Sequence, residues 1–562
     1  MERTAILEGL AAIPEIDVLV IGGGINGGGV FRDLALQGTG VLLVERGDFC
    51  SGASSASSHM AHGGIRYLEN GEFRLVAEAV AERNRLIVNA PHLVKPLPTV
   101  IPMFRLLSGI LNAPLKFLGI LDRPSERGAL VIKLGLLFYE AFTRGRRVVP
   151  HHRFEGKHAS LKRFPALNPD IAFTATYYDG VILSPERLAL EVLLDGEAEG
   201  DHARALNYVS ARGPGETAGE TILRDEMTGR DFAVRPRVIV NAAGPWIDRV
   251  NAGLGLGGSY VGGTKGSHII LDHPELRSAI GSNEFFFENS DGRIVLLLPW
   301  HGHVIVGTSD LPIDDPDEAV CTEEEIDYFI GLVARVFPAI RIGREHIVFA
   351  FSGVRPLAFS AAKDTSLIGR DHVTREDRLG DLPVLSLVGG KWTTFRALAE
   401  QTTDRILSLL GASRRTGTAD LPIGGGRLWP RGPGTKTAAI AAIAGTGGIG
   451  PERARILWDR YGTRAGEIAA TIATMQDGPL EAARSGSRAE IAFLASREKA
   501  LHLDDVLLRR SPLAWLGGVD RPLLEEVAAI MGAELEWSAS ETRAEVERTR
   551  EILRERHGLR ID

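Results

Sequence analysis

A strand–glycine turn–helix–strand unit near the start of the chain constrains the fold more than any other feature. Residues 17–21 form an apolar run typical of a buried strand, and residues 22–27 fit the pattern G-x-G-x-x-G. An Ala/Leu-rich helical stretch follows, and a second apolar strand, residues 41–44, ends in Glu45. Glycines let the backbone approach a pyrophosphate at the helix N-terminus, and an acid about 20 residues on can accept hydrogen bonds from a ribose. The unit predicts a dinucleotide-binding domain.

The glycine pattern alone does not separate NAD from FAD, but its place in the chain favours FAD. The pattern begins within the first 25 residues, as is typical of a built-in FAD. The hydroxyl-rich run 51–58 has no long side chain and fits either a flexible linker or a loop beneath a flavin ring. The second interpretation explains better why several histidine, glycine, arginine and tyrosine residues follow directly: His59, His62, Gly63, Gly64, Arg66 and Tyr67.

Composition limits the possible classes of function. A chain of 562 residues is expected to hold more than one domain, and its 44% hydrophobic and 24% charged content is ordinary for a globular protein. The net charge of −8 argues against nucleic acid as a partner. Two cysteines, Cys50 and Cys321, offer no zinc set and no disulfide framework, so no metal is expected. We also expect no signal peptide and no transmembrane helix.

Residues 54–83, SSASSHMAHGGIRYLENGEFRLVAEAVAER, resemble the signature region of FAD-dependent glycerol-3-phosphate dehydrogenases and oxidases, in which SSxSSKLxHGGxRYLE is typical. The motifs AAGPW (242–246), KGSH (265–268), SGVRPL (352–357) and GGKWTT (389–394) are similar to that family as well. The resemblance extends over residues 15–530. Two departures stand near the expected flavin, since the family usually has lysine where this chain has His59 and a bulky aliphatic residue where it has Ala61.

The resemblance implies an α/β fold: an FAD-binding Rossmann-like domain, an inserted substrate domain with a mixed or antiparallel sheet, and an all-helical C-terminal domain. The expected FAD-binding segments are 15–100, 170–260 and 350–410. The substrate domain is expected over 101–169 and 261–349, and the helical domain over 425–562, after a linker that begins near residue 410. Local patterns agree, because residues 293–308 read as two strands joined at 301–303 and Ser538 with Glu541 predicts a capped final helix.

The residues expected to contact FAD come from the glycine turn, the Ser/Ala loop and the later strand ends. They are Gly22, Gly24, Ile25, Asn26, Gly27, Glu45, Arg46, Ser54, Ser55, Ser57, Ser58, His62, Gly63, Gly64, Val209, Ala243, Gly244, Trp246, Gly353, Gly389, Gly390, Lys391, Trp392 and Thr393.

Oxidation of an alcohol needs a hydride acceptor, a base for the hydroxyl proton and cations for any anionic part of the substrate. Flavin N5 is the expected acceptor. Arginine forks suit a phosphate, and the resemblance implies Arg355 and Arg370 for that group, with Arg66 and Tyr67 orienting the polyol hydroxyls. The catalytic residues are predicted as His268, Lys391 and Arg355.

His268 is the candidate base, since imidazole titrates near neutral pH, and Lys391 would stabilise the developing alkoxide or the reduced flavin. The reverse assignment of His268 and Lys391 stays open.

Residues 104–147 differ from their surroundings, because they are rich in Leu, Ile and Phe and carry eight Lys or Arg against three acids. This composition fits an interfacial helix pair on an anionic membrane, or a helical hairpin packed in the core with solvated basic ends. The resemblance favours the membrane. It implies a monotopic protein on the inner face of the cytoplasmic membrane that passes electrons to quinone, with a possible homodimer.

The predicted reaction is oxidation of sn-glycerol 3-phosphate to dihydroxyacetone phosphate. The alternatives are another polyol phosphate such as a tetritol phosphate, an oxygen-using oxidase of the same fold, an amine-oxidising relative and a non-enzymatic flavin-bearing scaffold.

Overall fold

The computed structural model describes residues 3–65, 72–104, 129–141, 148–288, 294–359, 372–475, 477–483 and 486–561. Within these ranges two large sheets account for most strands, and helices cover the sheets and fill the C-terminal region. Strands and helices are numbered below in chain order.

The first sheet holds the predicted nucleotide unit. Its strands are β1 (Glu15–Ile21), β2 (Val41–Val44), β7 (Ala203–Leu206), β8 (Val209–Pro214), β9 (Thr221–Asp225), β10 (Arg230–Asn241), β17 (Val373–Leu379) and β18 (Leu382–Val388). The order β17-β18-β10-β1-β2-β7 is parallel from β18 to β7, while β17 is antiparallel to β18, and β8 and β9 extend β10 as an antiparallel branch. Parallel strands buried on both faces explain the continuous apolar runs seen in β1 and β2.

The second sheet is mainly antiparallel. Its strands are β3 (Met60–Ala61), β4 (Val94–Met103), β5 (Arg153–Gly156), β6 (Phe173–Ile182), β11 (Val261–Leu271), β12 (Glu284–Glu288), β13 (Ile294–Trp300), β14 (His303–Gly307), β15 (Leu311–Pro312) and β16 (Ile347–Ala358). The long pairing of β11 with β16 runs from Val261 opposite Ala358 to Leu271 opposite Ile347. The turn at 301–303 joins β13 to β14 as the sequence predicts. The domain boundaries stay a prediction.

Helices lie against both sheets in the first 410 residues. They are α1 (Arg3–Ala12), α2 (Ile25–Leu36), α3 (Phe73–Asn89), α4 (Ala129–Ala141), α5 (Lys157–Arg163), α6 (Pro185–Glu197), α7 (Ile247–Gly253), α8 (Pro274–Ile280), α9 (Glu323–Val336) and α10 (Phe395–Leu410). Apolar residues of α2, α6 and α10 pack on one face of the first sheet, so that Val20, Phe31 and Leu43 are fully buried. Among the described residues, no helix combines the length and apolar composition needed to cross a bilayer.

The C-terminal region is helical, as predicted. It contains α11 (Thr435–Gly447), α12 (Pro451–Tyr461), α13 (Ala465–Thr474), α14 (Arg488–Arg497), the short turn Leu503–Asp505 with a π-helical segment Val506–Arg510, α15 (Arg521–Leu535) and α16 (Ala539–His557). Ser538 and Glu541 form both hydrogen bonds of the predicted capping box at the start of α16. The core of this region is continuous with Trp300, Phe349 and Phe351 of the second sheet.

Candidate active site

The turn between β1 and α2 is built so that only glycine fits. Gly22 has φ +115°, and a Cβ there would stand 2.5 Å from the carbonyl oxygen of Ala242. A Cβ at Gly27 would stand 1.9 Å from the Gly22 carbonyl oxygen, so α2 lies directly on the turn. The turn therefore leads directly into the positively polarised N-terminus of α2, the kind of helix end that receives a pyrophosphate.

Glu45 folds back onto the same turn. Its carboxylate accepts hydrogen bonds from the backbone N–H groups of Gly23 at 2.7 Å and Gly47 at 3.0 Å. Burial raises the pKa of Glu45, and the two backbone donors oppose that rise. The acid at the end of β2 thus lies beside the glycine turn, where a ribose would lie.

The Ser/Ala loop packs between the glycine turn and the loop after β18. Ser54 Oγ accepts from the Ile25 N–H at 3.0 Å, and the Trp392 indole N–H donates to the Ser54 carbonyl at 2.9 Å. Asn26 Nδ2 donates to the Gly389 carbonyl at 3.3 Å, and a Cβ at Gly390 would stand 2.4 Å from that nitrogen. Three segments that are far apart in sequence thus contact one another, and residues 51–58 are packed between them, which is not the behaviour of a flexible linker.

The loop after β3 is held from two sides. Thr393 Oγ1 accepts from the His62 N–H at 3.0 Å and donates to the His62 carbonyl at 3.1 Å. On the other side, the Gly63 N–H donates to Tyr139 Oη at 3.0 Å and to Asp179 Oδ1 at 3.1 Å. Neither Tyr139 nor Asp179 stands in a motif, so no local pattern points to them.

Arg46 and Trp246, both expected cofactor residues, meet through an acid that the sequence did not single out. The Arg46 guanidinium lies 4.5 Å from the centroid of the Trp246 ring. Asp317 Oδ1 accepts from Arg46 Nη2 at 2.7 Å and from the Trp246 indole N–H at 2.9 Å, and Asp317 Oδ2 accepts from Arg249 Nη1 at 2.8 Å. These contacts join the end of β2, the segment after β10 and the segment before α9.

His268 lies in the middle of β11, buried, with Nε2 2.9 Å from Ser58 Oγ. Its ring stacks on Phe351 with centroids 4.7 Å apart and planes 5° apart, and a Cβ at Gly307 would stand 2.1 Å from the ring. Burial, with the nearby Arg355 charge, lowers the pKa of His268 well below its usual value, so the ring is neutral at pH 7. Among the described residues, Nδ1 has no hydrogen-bond partner.

Arg355 lies on β16, opposite Thr264 of β11. Nη1 donates to Asp310 Oδ1 at 3.0 Å, and Nη2 donates to Thr308 Oγ1 at 2.9 Å and to the Ser309 carbonyl at 3.0 Å. The guanidinium lies over Gly266, where a Cβ would stand 2.2 Å from Nη2. Its side chain keeps 24% of its surface exposed, so an anion can reach it.

The two lysines near these residues differ in environment. Lys265, the first residue of the KGSH motif, donates to Glu325 Oε2 at 2.8 Å and to the Val320 carbonyl at 2.7 Å, which turns it away from His268 toward α9. Lys391 follows the glycine pair Gly389–Gly390, both of which have positive φ. Lys391 thus stands in the chain between Gly390, which packs on Asn26, and Trp392, which donates to Ser54.

His59 fills an aromatic box. Its ring lies 5.7 Å from Trp300 and Trp515 and 6.2 Å from Phe351, and burial lowers its pKa to about 3. A neutral ring suits such a box, whereas the family lysine would bring a charge there.

The other predicted contacts fall into two groups. Gly353 lies against Ala56, Val209 donates from its N–H to the Glu45 carbonyl, and Gly244 has φ +58° before Trp246. Arg66, Tyr67 and Arg370 lie outside the described residues.

The residues present fit a bound FAD. A Cβ at glycine positions 22, 27, 353 and 390 would clash with neighbouring atoms of the chain, so these segments pack backbone to backbone or against short side chains, as the turns around a dinucleotide require. Asn26 Oδ1 is buried and accepts no hydrogen bond from the part of the chain described. Contacts through Ile25 and Ser54 link the glycine turn to the Ser/Ala loop, and Ser58 of that loop contacts His268.

Comparison with known proteins supports this assignment. Residues 17–405 match the family described as FAD dependent oxidoreductase, and residues 416–542 match the C-terminal domain of alpha-glycerophosphate oxidase. The chain is 33% identical to a glycerol-3-phosphate dehydrogenase of Synechocystis sp., over 89% of each chain. It is 34% identical to a D-erythritol 1-phosphate dehydrogenase of Brucella abortus, over 88% of this chain and 94% of the relative.

A solved structure shares the fold. The glycerol-3-phosphate dehydrogenase of Bacillus halodurans, complexed with FAD, aligns with a TM-score of 0.75 at 22% identity and covers 99% of this chain and 97% of its own.

Proposed function

The chain belongs to the FAD-dependent glycerol-3-phosphate dehydrogenase and oxidase family, and from this premise we propose that it oxidises sn-glycerol 3-phosphate to dihydroxyacetone phosphate. FAD is its cofactor. The observation that carries the proposal is the meeting of a buried histidine, His268, and a partly exposed arginine, Arg355, on the paired strands β11 and β16.

FAD, when bound, supplies the hydride acceptor. The glycine turn, Glu45 and the Ser/Ala loop would hold its nucleotide half, and Gly353, Gly389, Gly390 and Lys391 would border its ring. Lys391 would add a positive charge where negative charge develops.

Arg355 would bind the anionic end of the substrate. Its fork is already oriented by Asp310 and Thr308, so little side-chain freedom is lost when an oxyanion binds. We propose the same phosphate role for Arg370, and an orienting role for Arg66 and Tyr67 toward the polyol hydroxyls.

His268 would accept the hydroxyl proton at Nε2 or Nδ1. A base must be unprotonated before the step, and the lowered pKa of His268 meets that condition throughout the neutral range. Ser58 fixes the ring orientation through Nε2. Protonation of His268 is therefore not expected to change the limiting rate of flavin reduction between pH 6 and 8.

The substrate class is tested by anaerobic bleaching of the flavin absorbance with sn-glycerol 3-phosphate, a tetritol phosphate and free glycerol. We expect reduction by the phosphate esters and none by glycerol at the same concentration. Reduction by free glycerol as readily as by its phosphate would overturn the role of Arg355. The relative named D-erythritol 1-phosphate dehydrogenase makes a tetritol phosphate the second candidate, which faster bleaching by that ester would favour.

The base is tested by stopped-flow reduction of His268→Ala, with His303→Ala in the nearby turn as the control. We expect a loss of at least about 100-fold in the limiting rate for His268→Ala and little change for the control. A loss below about 10-fold would count against His268, and a larger loss in Lys391→Ala would favour the reversed assignment.

For the electron acceptor we propose quinone at a membrane surface, with oxygen as the alternative. Helix α4, in the basic and apolar segment 104–147, buries Ile132, Leu136 and Tyr139 and leaves Leu137 half exposed. We propose that this segment rests on the anionic inner face of the cytoplasmic membrane.

Vesicle flotation tests the membrane contact. We expect binding to vesicles with anionic lipid and its loss when Lys116, Arg123 and Arg127 are replaced by Gln. Stoichiometric peroxide from substrate and oxygen, with no reduction of a soluble quinone, would support the oxidase alternative instead.

A further inference from the structure

The connection between β14 and β15 holds the candidate phosphate arginine. It consists of residues 308–310, and each of them provides Arg355 with an acceptor: Thr308 Oγ1 at 2.9 Å, the Ser309 carbonyl at 3.0 Å and Asp310 Oδ1 at 3.0 Å. The direction of the Arg355 guanidinium therefore depends on where this short connection lies.

The connection is in turn tied down by the buried side chain of Ser309. Its Oγ accepts from the Ser267 N–H of β11 at 2.8 Å and donates to Glu325 Oε1 at 2.5 Å. Glu325 is the third residue of α9, and only 4% of its surface is exposed. One hydroxyl thus joins the connection 308–310 to a strand on one side and to the first turn of a helix on the other.

The Glu325 carboxylate divides its two oxygens between two tasks. Oε2 accepts from Lys265 Nζ at 2.8 Å and from the Thr322 N–H at 2.9 Å, and the second of these bonds belongs to the capping box of α9. Oε1 accepts from Ser309. Burial raises the pKa of Glu325, but the hydrogen bonds from Lys265 and Ser309 outweigh burial and lower it, so the carboxylate is charged at neutral pH. The helix cap uses only Oε2, so the bond to Ser309 adds a second role to this side chain.

We propose that Glu325 is a positioning residue for the anionic end of the substrate: through the Ser309 hydroxyl it fixes the connection 308–310, and this connection orients Arg355. The inference rests on the proposed function in one respect, the assignment of Arg355 to the substrate phosphate. Glu325 acts through Arg355 and not by contact with substrate or flavin. Its effect therefore falls on substrate affinity, while the limiting rate of flavin reduction stays nearly unchanged.

Ser309→Ala tests the link selectively, because Glu325 keeps its bonds with Lys265 and Thr322. Anaerobic stopped flow of the holoenzyme should give a Kd for glycerol 3-phosphate raised about 3- to 10-fold, the range for one hydrogen bond, with the limiting rate within twofold and FAD content unchanged. Thr322→Ala is the matched control. It removes the hydroxyl that accepts from the Glu325 N–H at 3.4 Å and caps the same helix, but it leaves Glu325 bonded to Ser309, so the Kd should stay within twofold of the wild type.

A pair of double variants isolates the carboxylate, because Ser309→Ala also deprives the Ser267 N–H of its acceptor. Lys265→Met with Glu325→Met leaves the Ser309 hydroxyl without a polar group at position 325, whereas Lys265→Met with Glu325→Gln keeps an amide there. Replacing the lysine in both avoids an uncompensated buried cation. We expect the Kd to be at least about threefold higher in the first double variant than in the second. Equal Kd values would refute the role of Glu325.

A double-mutant cycle tests whether the effect passes through Arg355. The measured quantity is the second-order rate constant of flavin reduction at low substrate concentration, which can be determined even when the Kd is large. Ser309→Ala should change it by less than twofold in an Arg355→Met background, because no guanidinium is left to orient. General loosening of the site would lower the rate constant equally in both backgrounds, and this result would refute the positioning role.

Inorganic phosphate separates this inference from the proposed function. Its Kd for the oxidised holoenzyme, measured by isothermal titration calorimetry, should also rise about 3- to 10-fold in Ser309→Ala. A wild type that no polyol phosphate reduces would refute the proposed function, and the phosphate titration would still decide the role of Glu325. A wild type that glycerol 3-phosphate reduces, with both Kd values unchanged in Ser309→Ala, would refute the inference alone. A wild type that binds neither ligand would overturn both.

Discussion

Gly266→Ala should weaken substrate binding without unfolding the protein. Gly266 lies on β11 opposite Gly353, and its added Cβ would stand 2.2 Å from Arg355 Nη2 and 2.6 Å from Arg355 Cζ. Ordinary contact begins near 3.4 Å, so the guanidinium has to withdraw by about 1.2 Å. The clashing atoms are the tip of a flexible side chain, and their movement leaves the β11–β16 ladder intact.

The size of the effect follows from the bonds that orient Arg355. A shift of that size breaks at least one of the contacts to Thr308 at 2.9 Å and Asp310 at 3.0 Å. A hydrogen bond to a charged group contributes roughly 1.5–3 kcal/mol, and a 1 Å misplacement near the reacting atoms can cost about 100-fold. We therefore expect the Kd for glycerol 3-phosphate to rise about 10- to 100-fold.

The assay is anaerobic stopped-flow reduction of the flavin over a range of substrate concentrations. Gly262→Ala is the matched control, because its Cβ on the same strand would meet Phe359 at ordinary contact distances, Cα at 3.6 Å and Cδ2 at 3.9 Å. FAD content and the thermal midpoint should match the wild type in both variants. A Kd within twofold of the wild type in Gly266→Ala would show that the guanidinium position does not set substrate affinity, and the phosphate role of Arg355 would have to be abandoned.

Three further changes test other contacts. Asp48→Asn should lower the free energy of unfolding in denaturant by about 3 kcal/mol, because it removes the buried negative charge that binds Arg510 through both oxygens. A decrease of less than about 1 kcal/mol would contradict this. Asp317→Asn should speed FAD release a few-fold at low salt, because it weakens the contact that holds the Trp246 indole N–H. The difference in release rate from wild type should shrink in 1 M salt. A difference that does not depend on salt would argue against an electrostatic contact. Burial raises the pKa of Glu284 from 4.5 to about 8, so between these pH values the folded state keeps a proton that the unfolded chain loses, and stability falls as pH rises. Glu284→Gln should remove this fall. A difference in thermal midpoint between wild type and Glu284→Gln that stays constant from pH 5 to 8 would refute the argument.

Local signals in the sequence were sufficient for the nucleotide unit. The turn at residues 22–27, strand β2 and the cap of α16 each depend on residues close together in the chain, and the structure has them as predicted.

One strand prediction was wrong for a tertiary reason. Taken alone, the stretch 205–212, ALNYVSAR, predicts one strand, but the structure divides it between β7 and β8. At the break, Asn207 Nδ2 donates to Asp48 Oδ1 at 3.1 Å and to the Lys499 carbonyl at 2.7 Å, and Tyr208 has φ +54°. Partners about 160 and 290 residues away impose this turn, so no local pattern could reveal it.

The same limit applies to the site. His268, Arg355 and the glycine loops could be predicted, because each lies in a short motif that is recognisable from neighbouring residues alone. Tyr139, Asp179 and Asp317 act on those motifs from 76, 116 and 271 residues away, and each is an ordinary tyrosine or aspartate in its own stretch. Residues that support a site from outside therefore need the fold before they can be recognised.

The helical C-terminal region completes the nucleotide-binding half of the molecule instead of merely following it. Asp48, three residues after Glu45, is buried with Arg509 and Arg510, and Arg187 of α6 is buried with Glu498 through two hydrogen bonds. Neither half can satisfy these charges alone, since each pair joins residues more than 300 positions apart. Folding of the last hundred residues and the conformation of the loop beside Glu45 are thus coupled. A substitution that breaks one of these buried ion pairs from the C-terminal side is therefore expected to weaken FAD retention as well.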